Sequence, residues 1–92
     1  MNSFGEYLRN RREQLGLPLR KVAAELDIDT SILSKIERNE RSATKEMLQT
    51  FSKALDLPVK EIQIEFIQAT ILSEFGELEF LSEGLKNVLK KI

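Results

Sequence analysis

Cysteine and histidine are both absent from the chain. Without thiols there are no disulfides and no thiolate chemistry, and without imidazole the commonest metal ligand and proton shuttle is missing. Paired carboxylates such as Glu77 and Glu79 are the only catalytic material, and adjacent-but-one positions on a helix point apart. An enzyme is therefore not expected, and no metal, cofactor or small-molecule ligand is evident. Long apolar runs are missing too: no stretch approaches the ~18 residues of a membrane span. The start, Met1-Asn2-Ser3-Phe4, lacks the basic-then-apolar pattern of a secretion signal. These absences predict a cytoplasmic protein with no membrane partner.

An excess of basic charge is also lacking. Fourteen Lys and Arg stand against 15 Asp and Glu, for a net charge of −1. Residues 1 to 57 carry 10 basic and 9 acidic groups, and residues 58 to 92 carry 4 and 6. A nucleic-acid surface on this chain has to come from the placement of charge rather than its total.

What is present suits one compact helical unit. Ninety-two residues leave no room for two independent cores, and 41% apolar with 32% charged residues fits a folded globular chain. Phe4, Leu8 and Leu15 share one helical stripe, with Arg9, Arg11 and Arg12 around the rest and Gly16 as a stop. After Pro18, which fits a first helical turn, Leu19, Val22, Ala23 and Leu26 again lie on one face. Asp27-Ile28-Asp29 interrupts this second helix, and Asp29 or Thr30 is placed to cap a third over Thr30 to Arg38.

The third helix is apolar on one side only, through Ile32, Leu33 and Ile36. That leaves Thr30, Ser31, Ser34, Lys35 and Arg38 for solvent or a partner. Asn39 is placed to end it, because Asn tolerates the left-handed conformation. Thr44 is the expected cap of a fourth helix carrying Met47, Leu48, Phe51, Ala54 and Leu55, ending before Leu57-Pro58.

From Val59 to Phe75 the pattern is helical but apolar on more than one face, so this helix needs more than one partner. Beyond Gly76, the residues Leu78, Leu81, Leu85, Val88 and Ile92 repeat at steps of three and four. That is a heptad seam of about two repeats, weakened by Gly84 and too short to stand alone as a coiled coil.

Two short helices joined by a three-residue turn, the second with a polar outer face, are what the major groove accepts. That groove is about 12 Å wide and takes one helix while the other braces it. The run Gly16-Leu17-Pro18-Leu19-Arg20-Lys21-Val22-Ala23-Ala24-Glu25-Leu26-Asp27-Ile28-Asp29 is followed after three residues by Leu33-Ser34-Lys35-Ile36-Glu37-Arg38-Asn39-Glu40-Arg41. Together these blocks resemble the helix-turn-helix signature of the lambda-repressor-like XRE family, with the likeness extending over roughly residues 4 to 64.

The resemblance implies an all-α, lambda-repressor-like bundle of about five helices. It divides the chain into a DNA-binding domain over residues 1–64 and a helical extension over 65–92, the expected dimerisation element. It implies a transcriptional regulator that binds double-stranded DNA as a homodimer on a palindromic operator. Thr30, Ser31, Ser34 and Lys35 match base-reading positions, although Thr30 and Ser31 fit equally a role in capping the helix and holding a phosphate. Lys35 can donate to guanine O6 and N7. Arg38 and Arg41 match phosphate-contacting positions, with Arg11 and Arg20 as weaker candidates, and Arg12 and Glu37 match a structural ion pair.

Three residues depart from the family pattern. Leu19 stands where Gln is common, Asp27 replaces the usual turn glycine, and Asp29 replaces a Ser or Thr. The two acidic residues predict modest, salt-dependent affinity. For the dimer interface the candidates are Ile67, Ile71, Leu78, Leu81, Leu85 and Val88, the alternative being that they close the chain's own core. A second function also fits the acidic balance: a protein-interaction module, antirepressor or adaptor, that uses the same fold without specific DNA binding.

Overall fold

Ser3 starts the first helix, its hydroxyl accepting a hydrogen bond from the Glu6 N–H at 3.1 Å. The structure, a computed structural model, describes residues 3–92. It contains α1 (Phe4–Gln14), α2 (Leu19–Glu25), α3 (Thr30–Glu37), a 3₁₀ turn at Lys45–Met47, α4 (Leu48–Ala54), α5 (Val59–Phe75) and α6 (Leu81–Lys90). Every regular element among the described residues is helical.

The first four helices stop in one way. Gly16, Asp27, Asn39 and Asp56 have φ of 68°, 56°, 61° and 50°, one after each of α1 to α4. The N–H of the residue that follows each then bonds back into the last helical turn. These bonds run from Leu17 to Arg12 O, Ile28 to Ala23 O, Glu40 to Lys35 O and Leu57 to Ser52 O, at 2.8–3.1 Å. Such closure satisfies carbonyls that a helix end leaves free and turns the chain sharply into the next element. Glycine takes the left-handed conformation without strain; Asp and Asn are the side chains that tolerate it best.

The helix starts differ from expectation at two points. Asp29 occupies the N-cap of α3 in extended conformation, but its side chain makes no capping bond. Thr44 likewise makes none, and the segment it precedes is a 3₁₀ turn, so α4 begins only at Leu48. In both places backbone conformation sets the start without a side-chain acceptor.

Leu8, Val22, Ala23, Leu33, Ile36, Leu48, Phe51, Leu55 and Ile62 form the buried core. It lies among α1, α2, α3 and α4, and only the first half of α5 reaches it. There Ile62 is fully buried, and Phe66 meets Phe4 edge-on with ring centroids 5.4 Å apart. The boundary drawn between residues 64 and 65 therefore falls inside one continuous helix.

Beyond Phe66 the apolar side chains lose their cover. Ile67, Leu72 and Phe75 are about half exposed, and α6 contains no buried residue. The molecule is accordingly elongated, 41 × 24 × 22 Å. Among the described residues no helix is long and apolar enough to cross a membrane.

Candidate nucleic-acid interface

The back of α3 is apolar and the front is not. Leu33 and Ile36 are fully buried against α1 and α2, while Thr30, Ser31, Lys35 and Arg38 are exposed and Ser34 is half-buried. Positions 31, 34, 35 and 38 follow the three-and-four spacing of a single helical strip, so these polar groups face outward together.

Two polar contacts hold that strip in place from behind. Arg12 on α1 donates from Nε and Nη2 to the two carboxylate oxygens of Glu37, at 2.7 and 3.0 Å, and from Nη1 to Leu17 O at 2.8 Å. The Glu37 side chain is 5% exposed and that of Arg12 is 11% exposed. Glu37 thus turns its charge away from the outer face of α3. Its hydrogen bonds and negative charge raise the Arg12 pKa further above the ordinary guanidinium value, against the opposing effect of burial.

The second contact is at Gly5. Its N–H donates to Asn39 Oδ1 at 3.3 Å, and a Cβ built there would run into Ile36 O and stand 2.7 Å from Glu37 O. Only a residue without a side chain lets α1 come so close to the end of α3. Nothing in the helical periodicity marks Gly5 for this task. The signal available was a glycine inside the first turn of a helix, where propensity disfavours it.

Arg38 does not stand free in this structure. It donates from Nε and Nη2 to the two carboxylate oxygens of Glu40, at 2.9 and 3.2 Å, and from Nη1 to Ser34 Oγ at 2.9 Å. The guanidinium holds the Glu40 carboxyl below its ordinary pKa. Two expected DNA-contacting residues are therefore joined to each other and to Glu40, an acid to which helical periodicity gives no role. Arg41, Arg20, Lys35, Thr30 and Ser31 are exposed, and their side chains make no hydrogen bond or ion pair with the described residues.

Arg11 departs from its expected place among the phosphate contacts. Its Nε and Nη2 donate to Leu55 O at 2.8 Å and Asp56 O at 3.0 Å, the carbonyls left free at the end of α4. A guanidinium at a helix C-terminus satisfies those acceptors and meets the negative end of the helix dipole. Arg11 accordingly fastens α1 to α4.

A helix-turn-helix family model matches residues 8–62, more than half of the chain, taking in most of α1, all of α2 to α4 and the start of α5. The chain belongs to the XRE family of helix-turn-helix transcriptional regulators. Within this helix-turn-helix domain, α2 and α3 are the paired helices, and the left-handed Asp27 makes the turn between them. Among solved structures, the domain is similar to the clp gene regulator ClgR from C. glutamicum. The two are 29% identical with a TM-score of 0.61, over 72% of this chain and 86% of that one. A search of curated proteins gave no match.

The candidate dimer residues fall mostly in one place. Ile71, Leu78, Leu81, Leu85 and Val88 line an open apolar groove of about 590 Å³ between the end of α5 and α6. Ile67 lies outside the groove lining, about half exposed on the adjoining part of α5.

Proposed function

We propose that this XRE-family protein is a sequence-specific double-stranded DNA-binding regulator that acts as a homodimer on a palindromic operator. In this reading α3 enters the major groove. Lys35 reads base edges, with Thr30, Ser31 and Ser34 beside it, and Arg38, Arg41 and Arg20 contact phosphates. Arg11 is left out, because its donors serve the end of α4.

The observation that carries the reading is the outward polar strip of α3, fixed from behind by the Arg12–Glu37 ion pair and by the close approach at Gly5. A reading helix must be held rigidly for its few base contacts to discriminate. Family membership and the likeness to ClgR, a gene regulator, agree with it. The exposed apolar groove favours a second reading, a protein-interaction module on the same fold.

Selection of binders from a randomised duplex pool, followed by sequencing, separates the two. The regulator reading predicts an enriched palindrome whose half-sites lie about one helical turn, ~34 Å, apart or a multiple of it. No enrichment at low salt, from a protein whose helical spectrum is native, would leave the interaction module standing.

A further inference from the structure

We infer that α6 pairs antiparallel with α6 of a second copy of the chain, the two helices crossing at Gly84. The inference rests on the homodimer reading above and names the surface and its geometry. Three separate observations lead to it.

The first is an uncovered apolar face. α6 has no buried residue, and no other helix packs extensively against it. Leu78 is 55% exposed, Phe80 64% and Val88 51%, around a groove that Leu81 and Leu85 complete. A short amphipathic helix is marginal in water unless its apolar face is covered.

The second observation identifies what covers it. Charge along this segment is segregated: Glu77, Glu79 and Glu83 come first, then Lys86, Lys90 and Lys91. A parallel pair would set acid against acid and base against base. An antiparallel pair sets the acidic half of each copy beside the basic half of the other, and it also opposes the helix dipoles favourably. The segment is complementary to itself in one orientation only, which is what a two-fold interface requires.

The third observation is Gly84. Glycine inside a helix costs about 0.8–1 kcal/mol relative to alanine. Within this chain nothing demands it, since a Cβ built there would meet only open space. Yet Gly84 lies on the lining of the groove. It is also the midpoint of the charged segment, seven residues from both Glu77 and Lys91. Two helices crossing there come close backbone to backbone, and the turn that carries Glu77, ahead of α6 in each copy, lies toward the end of α6 that carries Lys91 in the other.

Because the chain contains no cysteine, single thiols test the geometry cleanly. E77C and K91C are prepared separately, checked for native helicity, and oxidised mildly alone and as an equal mixture. Antiparallel pairing predicts disulfide-linked dimers in the mixture and little linkage in either variant alone. The helix that separates the two sites, Leu81–Lys90, has ten residues and is about 15 Å long, far beyond disulfide reach.

Self-linkage of E77C or K91C would overturn the orientation. An unlinked mixture that sediments as a dimer would place the interface elsewhere and leave the homodimer reading intact. A wild-type chain that sediments as a monomer would overturn both. In an independent arm, G84L should weaken dimerisation at least tenfold while the helical spectrum of the monomer is kept or raised. Unchanged dimerisation of G84L would contradict the crossing point.

Discussion

Arg12 and Glu37 meet as a two-pronged ion pair across the α1–α3 contact, with Glu37 almost completely withdrawn from solvent. The pair sits directly behind the outer face of α3, so it serves the orientation of that helix as well as its attachment. Its energetic signature is asymmetric. Losing one member strands a buried charge, which costs about 3–5 kcal/mol, whereas replacing both by apolar residues of similar volume is close to neutral. Arg12→Met should therefore lower the urea unfolding free energy by that amount, and the Arg12→Met, Glu37→Leu double variant should recover most of it. Equal losses in the single and double variants would assign the pair no coupling.

Gly5→Ala tests the close approach of α1 to the end of α3. The added methyl has no space against Ile36 O, Glu37 O and Asn39 Oδ1. Overpacking of this kind costs about 1–3 kcal/mol, although alanine itself favours a helix. Chemical denaturation should show the loss. Stability at or above that of the wild type would mean that the two helices part at little cost.

Tyr7 sets a limit to stability at high pH. Its hydroxyl is buried and makes no hydrogen bond of ordinary geometry among the described residues, Glu61 acting on it only as a weak, poorly aligned acceptor. Burial first, and then the negative charges of Glu61 and Glu65, push its pKa up from 10.0 to about 12. The folded state thus disfavours the phenolate. Its contribution to stability is complete below pH 10 and is lost as pH rises from 10 to about 12. The chain has one tyrosine and no tryptophan, so phenolate absorbance reports Tyr7 alone. The titration should be displaced upward from the ordinary tyrosine range, and Tyr7→Phe should flatten the alkaline decline. An unshifted titration would contradict this account of the site.

Much of this was legible in the sequence because periodicity and stop residues agree. The three-and-four spacing of Leu19, Val22, Ala23 and Leu26, and of Leu33 and Ile36, places α2 and α3 correctly. Gly16 and Asn39 mark the ends of α1 and α3. Asp56 gives no separate signal as a fourth stop, because Leu57-Pro58 by itself accounts for the end of α4. The roles of Gly5, Arg11 and Glu40 were not legible. Gly5 and Arg11 act on residues 34 to 45 positions away, and Glu40 acts on a neighbour only in the geometry that follows the left-handed Asn39.

Glu40 occupies the guanidinium that the proposed function assigns to a phosphate. An exposed pair of this kind is weakly held and exchanges readily. Glu40→Gln should free Arg38, remove a negative charge from the DNA-facing surface and tighten binding about two- to fivefold at low salt, with the gain shrinking as salt rises. A binding titration across salt concentrations checks this. Weaker binding by the variant would show that Glu40 is needed to position Arg38.

The most direct test of α3 as the reading helix compares Lys35→Ala with Arg41→Ala on the selected operator and on all its single-base variants. The account predicts that Lys35→Ala loses about 1–3 kcal/mol of discrimination at one base-pair position in each half-site and leaves the other preferences unchanged. Arg41→Ala should weaken binding to every sequence by the same factor and reduce the salt slope by about one. A Lys35→Ala protein that binds all sequences uniformly more weakly, with every base preference retained, would contradict the central claim.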